Sequence, residues 1–137
     1  MNPVLDASVF VAAISPAERH HAQARALFAS HPEASPYLVP ALFRVEVIAA
    51  LARRGESDHL LDLVDALIRG PRFYACPMDA ALLDEAAIVA RQARLRGYDA
   101  IYVALAISRN APLFTLDREI RKRLEVAFPA VRVHEKA

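Results

Sequence analysis

The sequence has a single cysteine, Cys76, in 137 residues, so it can form neither an internal disulfide nor a cysteine-rich zinc site. Long hydrophobic runs are missing too. Ala100 to Ile107 is among the longest, far short of the roughly 18 apolar residues a bilayer span needs. The opening Met1-Asn2-Pro3 carries no positive charge and reaches an acid at Asp6, unlike a secretory leader. Repeats, low-complexity tracts and linkers are absent. The histidines (His20, His21, His31, His59, His134) show no metal-ligand spacing, which disfavours zinc. Lysine is confined to Lys122 and Lys136, so arginine supplies fifteen of the seventeen basic residues. These absences predict one soluble domain over residues 1–137, in the reducing cytoplasm and without a membrane partner.

What is present is apolar surface and a patterned charge. Apolar residues make up 55% of the chain and charged ones 24%, enough to fill a core and too apolar for disorder. Net charge is only +1, yet eight basic residues stand against three acids between Arg91 and Arg123. Short apolar runs alternate with longer helical stretches. Strands are expected at Pro3–Leu5, Tyr37–Val39, Arg72–Cys76, Pro112–Leu116 and Val131–Val133. Ser15-Pro16-Ala17-Glu18 reads as a capped helix start leading to about Ala29. Further helices are expected from Ala41 to Arg54 with Gly55 closing it, and from Ser57 to Arg69. Others run from Asp79 to Arg96 ended by Gly97, from Asp99 to Ser108, and from Asp117 to about Glu125. The alternation implies an α/β fold with a parallel, helix-covered sheet, whose ligands bind beyond the carboxyl ends of the strands.

Four acids draw the eye to that edge. Asp6 and Asp117 each follow an apolar strand, where an aspartate also serves as an ordinary helix cap, as Asp79 does. Glu46 lies in a helix whose neighbours three and four positions away, Leu42, Phe43, Ala49 and Ala50, cannot pair with it. Either Arg44 or Arg53 bends back to it, or it points into a polar cavity. Asp99 opens a helix apolar almost all round (Ala100, Ile101, Val103, Ala104, Leu105), which places it at the edge of an internal pocket. If the four meet, their repulsion is relieved by protons or cations, and an all-oxygen set suits Mg²⁺ or Mn²⁺.

The order of these motifs resembles a PIN domain, specifically the VapC-type toxins of toxin–antitoxin modules. The resemblance rests on Val4-Leu5-Asp6-Ala7-Ser8-Val9, Val45-Glu46-Val47, Gly97-Tyr98-Asp99-Ala100-Ile101-Tyr102 and Leu113-Phe114-Thr115-Leu116-Asp117. It implies a three-layer α/β sandwich around a parallel sheet of four or five strands. It further implies a Mg²⁺- or Mn²⁺-dependent endoribonuclease in which Asp6, Glu46, Asp99 and Asp117 are the catalytic and metal-holding acids. Ser8 and Thr115 match the hydroxyls that support such a site. Water is then the attacking group, so the expected products carry a 5′-phosphate and a 3′-hydroxyl. A VapB-like antitoxin is implied as inhibitor, with its carboxyl-terminal segment over the helix from Ser57 to Arg69, and homodimers are common in such proteins.

Arg118 and Arg121 follow the last acid, and Arg94 and Arg96 form a second cluster; these are the candidate RNA contacts, or else solvated helix faces. Phe73 and Tyr74 read as core. Two other functions compete. One is a catalytically silent PIN-like module that binds RNA or protein. The other is an α/β phosphatase, against which Asp6-Ala7-Ser8 lacks the second aspartate of an Asp-x-Asp pair. A receiver domain is disfavoured because neither lysine follows a strand.

Overall fold

The computed structural model describes residues 2–134; Met1 and residues 135–137, and with them Lys136, lie outside the described residues. Five strands, β1 (Val4–Leu5), β2 (Tyr37–Pro40), β3 (Phe73–Cys76), β4 (Leu113–Phe114) and β5 (Val133–His134), form one sheet in the order β3-β2-β1-β4-β5. Every pairing is parallel, with Val4 opposite both Leu38 and Leu113, and Leu5 opposite Phe114. β1 is the central strand. Val4 and Leu5 are fully buried, as a strand covered on both faces requires.

Seven helices cover the sheet: α1 (Ala7–Ile14), α2 (His21–Ala29), α3 (Phe43–Arg53), α4 (Asp58–Ile68), α5 (Ala80–Ala93), α6 (Gly97–Ser108) and α7 (Arg118–Ala127). One group packs through α1 against α2 and α3, and α3 against α4; the other packs α5 against α6 and α7. α6 lies on β1, β2 and β4, which explains why its residues from Ala100 to Ala106 are nearly all buried. An aromatic cluster joins the first group to the sheet. The Phe10 ring stands 5.1 Å from Phe73, 5.4 Å from Phe28 and 5.8 Å from Phe43, and the Tyr37 hydroxyl donates to the Phe28 carbonyl.

Several expectations need correcting. Ser15 does not start a helix. It closes α1, its amide donating to the Val11 carbonyl at 3.0 Å, and α2 begins only at His21. The apolar run Val9–Ile14 extends a helix that Asp6 has already capped, and Pro16 then blocks its continuation. α5 stops at Ala93 because Arg94 takes a left-handed conformation (φ 57°), so Gly97 starts α6 rather than ending α5. Asp99 is therefore the third residue of α6 and not its cap. Tyr74 is exposed, with the Arg109 guanidinium over its ring at 5.9 Å, while Phe73 is buried as expected. β3 is an edge strand, and its middle residues Tyr74 and Ala75 are both exposed while Phe73 and Cys76 at its ends are buried. Gly55 does end α3 with a positive φ of 79°, and Ser57 does cap α4 by accepting from the Leu60 amide at 3.1 Å.

Candidate active site

Strand order brings the acids together. β1 lies between β2 and β4, so the residues after these three strands share one edge of the sheet. Asp6 follows β1, Glu46 sits in the first turn of α3 after β2, and Asp117 comes three residues after β4. Asp99 is delivered to the same edge by the first turn of α6, the helix packed across these strands.

Asp6 is buried and held by hydroxyls. Its Oδ2 accepts from Ser8 Oγ at 2.8 Å and from Thr115 Oγ1 at 2.8 Å. Among the described residues its other oxygen meets the Ser8 amide at 3.4 Å, too long for a strong bond. Thr115 is itself fully enclosed and accepts from the Asp117 amide at 3.1 Å, so one hydroxyl ties the end of β1 to the end of β4. Asp117 also caps α7, its Oδ1 accepting from the amides of Glu119 (2.8 Å) and Ile120 (3.3 Å), which leaves Oδ2 outward. The cap and the site are compatible, since each uses a different oxygen.

Glu46 is met by neither of the arginines considered for it. Arg44 turns away to Asp65, with Nε 2.6 Å from Oδ1. The Tyr102 hydroxyl donates to Glu46 Oε1 at 2.7 Å instead. Tyr102 is three residues beyond Asp99 on α6 and therefore on the same helix face. Its role was not foreseen from sequence, although a tyrosine in an otherwise apolar buried helix needs a partner for its hydroxyl.

Electrostatics report the proximity of the four groups. Burial raises the pKa of Asp6 above the ordinary carboxylate value, against the hydrogen bonds from Thr115 and Ser8, and the Asp99 charge adds to the rise. Burial likewise raises Glu46, with the Tyr102 bond opposing and the charges of Asp6 and Asp99 reinforcing. Asp99 is raised by burial and by Asp117, with Arg96 opposing. Tyr102 is pushed up by burial and then by Glu46, so it stays a neutral donor. Asp6, Glu46 and Asp99 thus each feel at least one neighbouring acid.

Among the described residues no three His, Cys, Asp or Glu side chains are gathered closely enough to form a ready metal cage. A hard cation such as Mg²⁺ keeps several waters and needs only one or two direct carboxylates. The donor set fits it: all oxygen, with Asp6 and Asp99 buried and the second Asp6 oxygen weakly engaged.

A cleft of about 700 Å³ opens at this edge, with Ser8, Glu46, Asp117, Arg53 and Arg54 in its lining; Asp6 and Asp99 are not part of that lining. Arg53 lies two helical turns after Glu46, a spacing visible in the sequence but not used for a substrate contact. Arg54 forms an ion pair with Glu18 from the segment between α1 and α2. Of the four arginines predicted as RNA contacts, Arg118 is exposed in the first turn of α7, directly after Asp117, and Arg121 is partly buried on the same helix. Arg94 is exposed at the left-handed end of α5. Arg96 instead turns inward, its Nε donating to Asp99 Oδ2 at 3.0 Å.

No helix among the described residues is long and apolar enough to cross a membrane. The chain resembles solved structures along nearly its whole length. The VapC20 toxin of Mycobacterium tuberculosis, described as cleaving the sarcin–ricin loop, superposes with a TM-score of 0.73 at 20% identity, covering 88% of this chain and 94% of that one. A toxin–antitoxin complex from Klebsiella pneumoniae gives 0.71 at 15% identity, covering 95% of each chain. FitAcB of Neisseria gonorrhoeae gives 0.68 at 16%, covering 95% of this chain and 94% of that one. These likenesses establish the fold. No curated protein matches the sequence. The family model of the PIN domain matches residues 4–124, a span that contains all four acids. The chain belongs to the PIN-domain family.

Proposed function

We propose that this protein is a VapC-like toxin, a Mg²⁺- or Mn²⁺-dependent endoribonuclease working as one domain of 137 residues in the cytoplasm. The observation that carries the reading is the meeting of Asp6, Glu46, Asp99 and Asp117 at one sheet edge, where each raises or feels another's pKa. Bound there, a divalent ion would lower the pKa of its water and offset charge on the scissile phosphate. The chain's own residues do the rest. Ser8 and Thr115 fix Asp6 by Oδ2 and leave Oδ1 with only a long contact to the Ser8 amide, free to take a cation. Tyr102 fixes Glu46 in the same way and keeps its phenolic proton at neutral pH. RNA phosphates lie along the cleft toward Arg53, with Arg118 beside the acids as a second contact.

Inhibition by a VapB-like antitoxin has support from the surface next to the site. Val45, Leu63 and Leu67 on α3 and α4 are exposed, and a groove between the two helices is lined by Val45, Ile48, Ala49 and Leu61. Val45 and Ala49 also line the cleft, so a segment laid in the groove can run on to the acids. The Klebsiella and Neisseria structures above are of a toxin–antitoxin complex and of FitAcB, consistent with such a partner. Self-association into a homodimer is part of the same proposal.

The test is cleavage of a defined RNA by the purified full chain across a Mg²⁺ and Mn²⁺ titration. The expected result is metal-dependent cleavage leaving 5′-phosphate ends, reduced by at least about 100-fold in Asp99→Asn with unchanged circular dichroism. Cleavage that persists undiminished in EDTA, or in Asp99→Asn, would refute it. Turnover of a phosphomonoester without RNA cleavage would favour the phosphatase.

A further inference from the structure

Arg96 occupies a position that the nuclease reading does not explain. It immediately precedes α6 in extended conformation (φ −64°, ψ 154°) and its side chain makes no helix cap. The guanidinium instead spans two of the four acids. Nε donates to Asp99 Oδ2 at 3.0 Å, and a terminal nitrogen lies 3.9 Å from Asp117 Oδ2. These oxygens come from different elements, α6 and the turn after β4. The Asp117 oxygen is the one not used for the helix cap, since Oδ1 is committed to capping α7. Arg96 is thus in ion-pair contact with Asp99 and at the edge of such contact with Asp117.

The two partners differ in burial. The Asp99 side chain is 9% exposed, whereas that of Arg96 is 66% exposed and rests over the Tyr98 ring, 5.2 Å from its centroid. An arginine so placed is close enough to neutralise the pocket and solvated enough to leave it without unfolding anything. Tyr98 lines the cleft and gives the released guanidinium a surface to stay on.

We infer that Arg96 is an exchangeable internal counter-ion: it bridges Asp99 and Asp117 while no divalent cation is bound, and is displaced from Asp99 when one binds. The inference rests on the cation site proposed above. Its consequence is that Arg96 sets the protein's affinity for the metal, holding it below what the four carboxylates alone would give. A single positive charge about 6 Å from a divalent ion in a water-like dielectric weakens binding by about tenfold.

The experiment is isothermal titration of Mn²⁺ into the metal-free full chain at constant ionic strength, with Arg96→Gln, Arg96→Lys and Arg25→Gln beside the unaltered protein. Arg25 is exposed on α2 and lines a separate hollow with Phe28 and Leu67, so its variant removes the same charge elsewhere. The expected result is a Kd about tenfold lower for Arg96→Gln, with Arg96→Lys staying near the original because the charge is retained. Arg25→Gln is expected to bind as the unaltered protein does. Melting in EDTA supplies a second readout: Arg96→Gln should melt lower than the unaltered protein without metal and gain more from saturating Mn²⁺. Equal or weaker Mn²⁺ binding by a folded Arg96→Gln, with the unaltered protein binding normally, would overturn the exchange and leave the nuclease reading standing. Absence of Mn²⁺ binding in every protein would overturn the cation site, and this inference with it.

Discussion

Thr115→Val tests whether a single buried hydroxyl holds the site together. The exchange replaces an OH by a methyl of similar shape at a position only 1% exposed. It removes the 2.8 Å bond to Asp6 Oδ2 and the acceptor of the Asp117 amide at 3.1 Å. A hydrogen bond to a charged group contributes about 1.5–3 kcal/mol, and a buried amide left without a partner costs about 1–3 kcal/mol. Ser8 still donates to the same Asp6 oxygen, so the low end of each range applies and the total is about 2–3 kcal/mol. For a domain of this size that corresponds to a fall in Tm of about 6–12 °C.

The loss should also depend on pH. Burial already holds the Asp6 pKa above its usual value and Thr115 pulls it down, so the variant's pKa rises further. An acid with a raised folded pKa makes the native state bind more protons than the unfolded one. Stability then falls as pH climbs from the unfolded value through the folded one. The difference between variant and parent should therefore be larger near neutral pH than at about pH 4. Calorimetric melting in EDTA across that range measures it. An unchanged Tm at neutral pH, or an equal loss at every pH, would refute the role given to Thr115.

Three further outcomes are expected. Tyr102→Phe removes the donor to Glu46 and should weaken Mn²⁺ binding by about tenfold while leaving the far-UV circular dichroism intact, as loss of a hydrogen bond behind a metal ligand does. Binding of a non-cleavable RNA to the Asp99→Asn protein should fall steeply with salt, and Arg118→Ala should reduce the slope by about 1, measured by fluorescence anisotropy. Phe10→Ala empties the centre of the aromatic cluster and should cost about 3–5 kcal/mol in urea unfolding; a loss below about 1 kcal/mol would mean the rings do not form a shared core.

Much of the fold was legible because its signals were strong and local. The apolar runs of β1, β2 and β4 and the nearly all-apolar α6 could be buried in few other ways. Glu46 and Asp99 drew attention because each sits in an otherwise apolar helix, whereas Asp6 and Asp117 stood out only by following strands, where ordinary helix caps also occur. Ser15-Pro16-Ala17-Glu18 misled because a serine before a proline suits the end of one helix as well as the start of another. Only the packing of α1 under Asp6 decides between them. Glu18, read as part of that helix start, is spent on Arg54 at the end of α3, a tertiary contact that sequence spacing does not encode. The same limit applies to Arg96, grouped with Arg94 by charge. The left-handed turn at Arg94 separates their directions, and the fold turns Arg96 onto Asp99. Tyr102 was hidden for a similar reason, since its partner Glu46 lies on a helix 56 residues earlier.

The central claim is that side chains from four distant parts of the chain share one divalent cation. Anomalous scattering from a crystal of the full chain soaked in Mn²⁺ tests it most directly. The account predicts the strongest manganese peak between Asp6 and Asp99, with Glu46 and Asp117 at ligand or water-bridged distance. Manganese bound solely elsewhere, at Asp62 and Asp65 for instance, or no manganese at all in a soak that leaves the acids accessible, would contradict it.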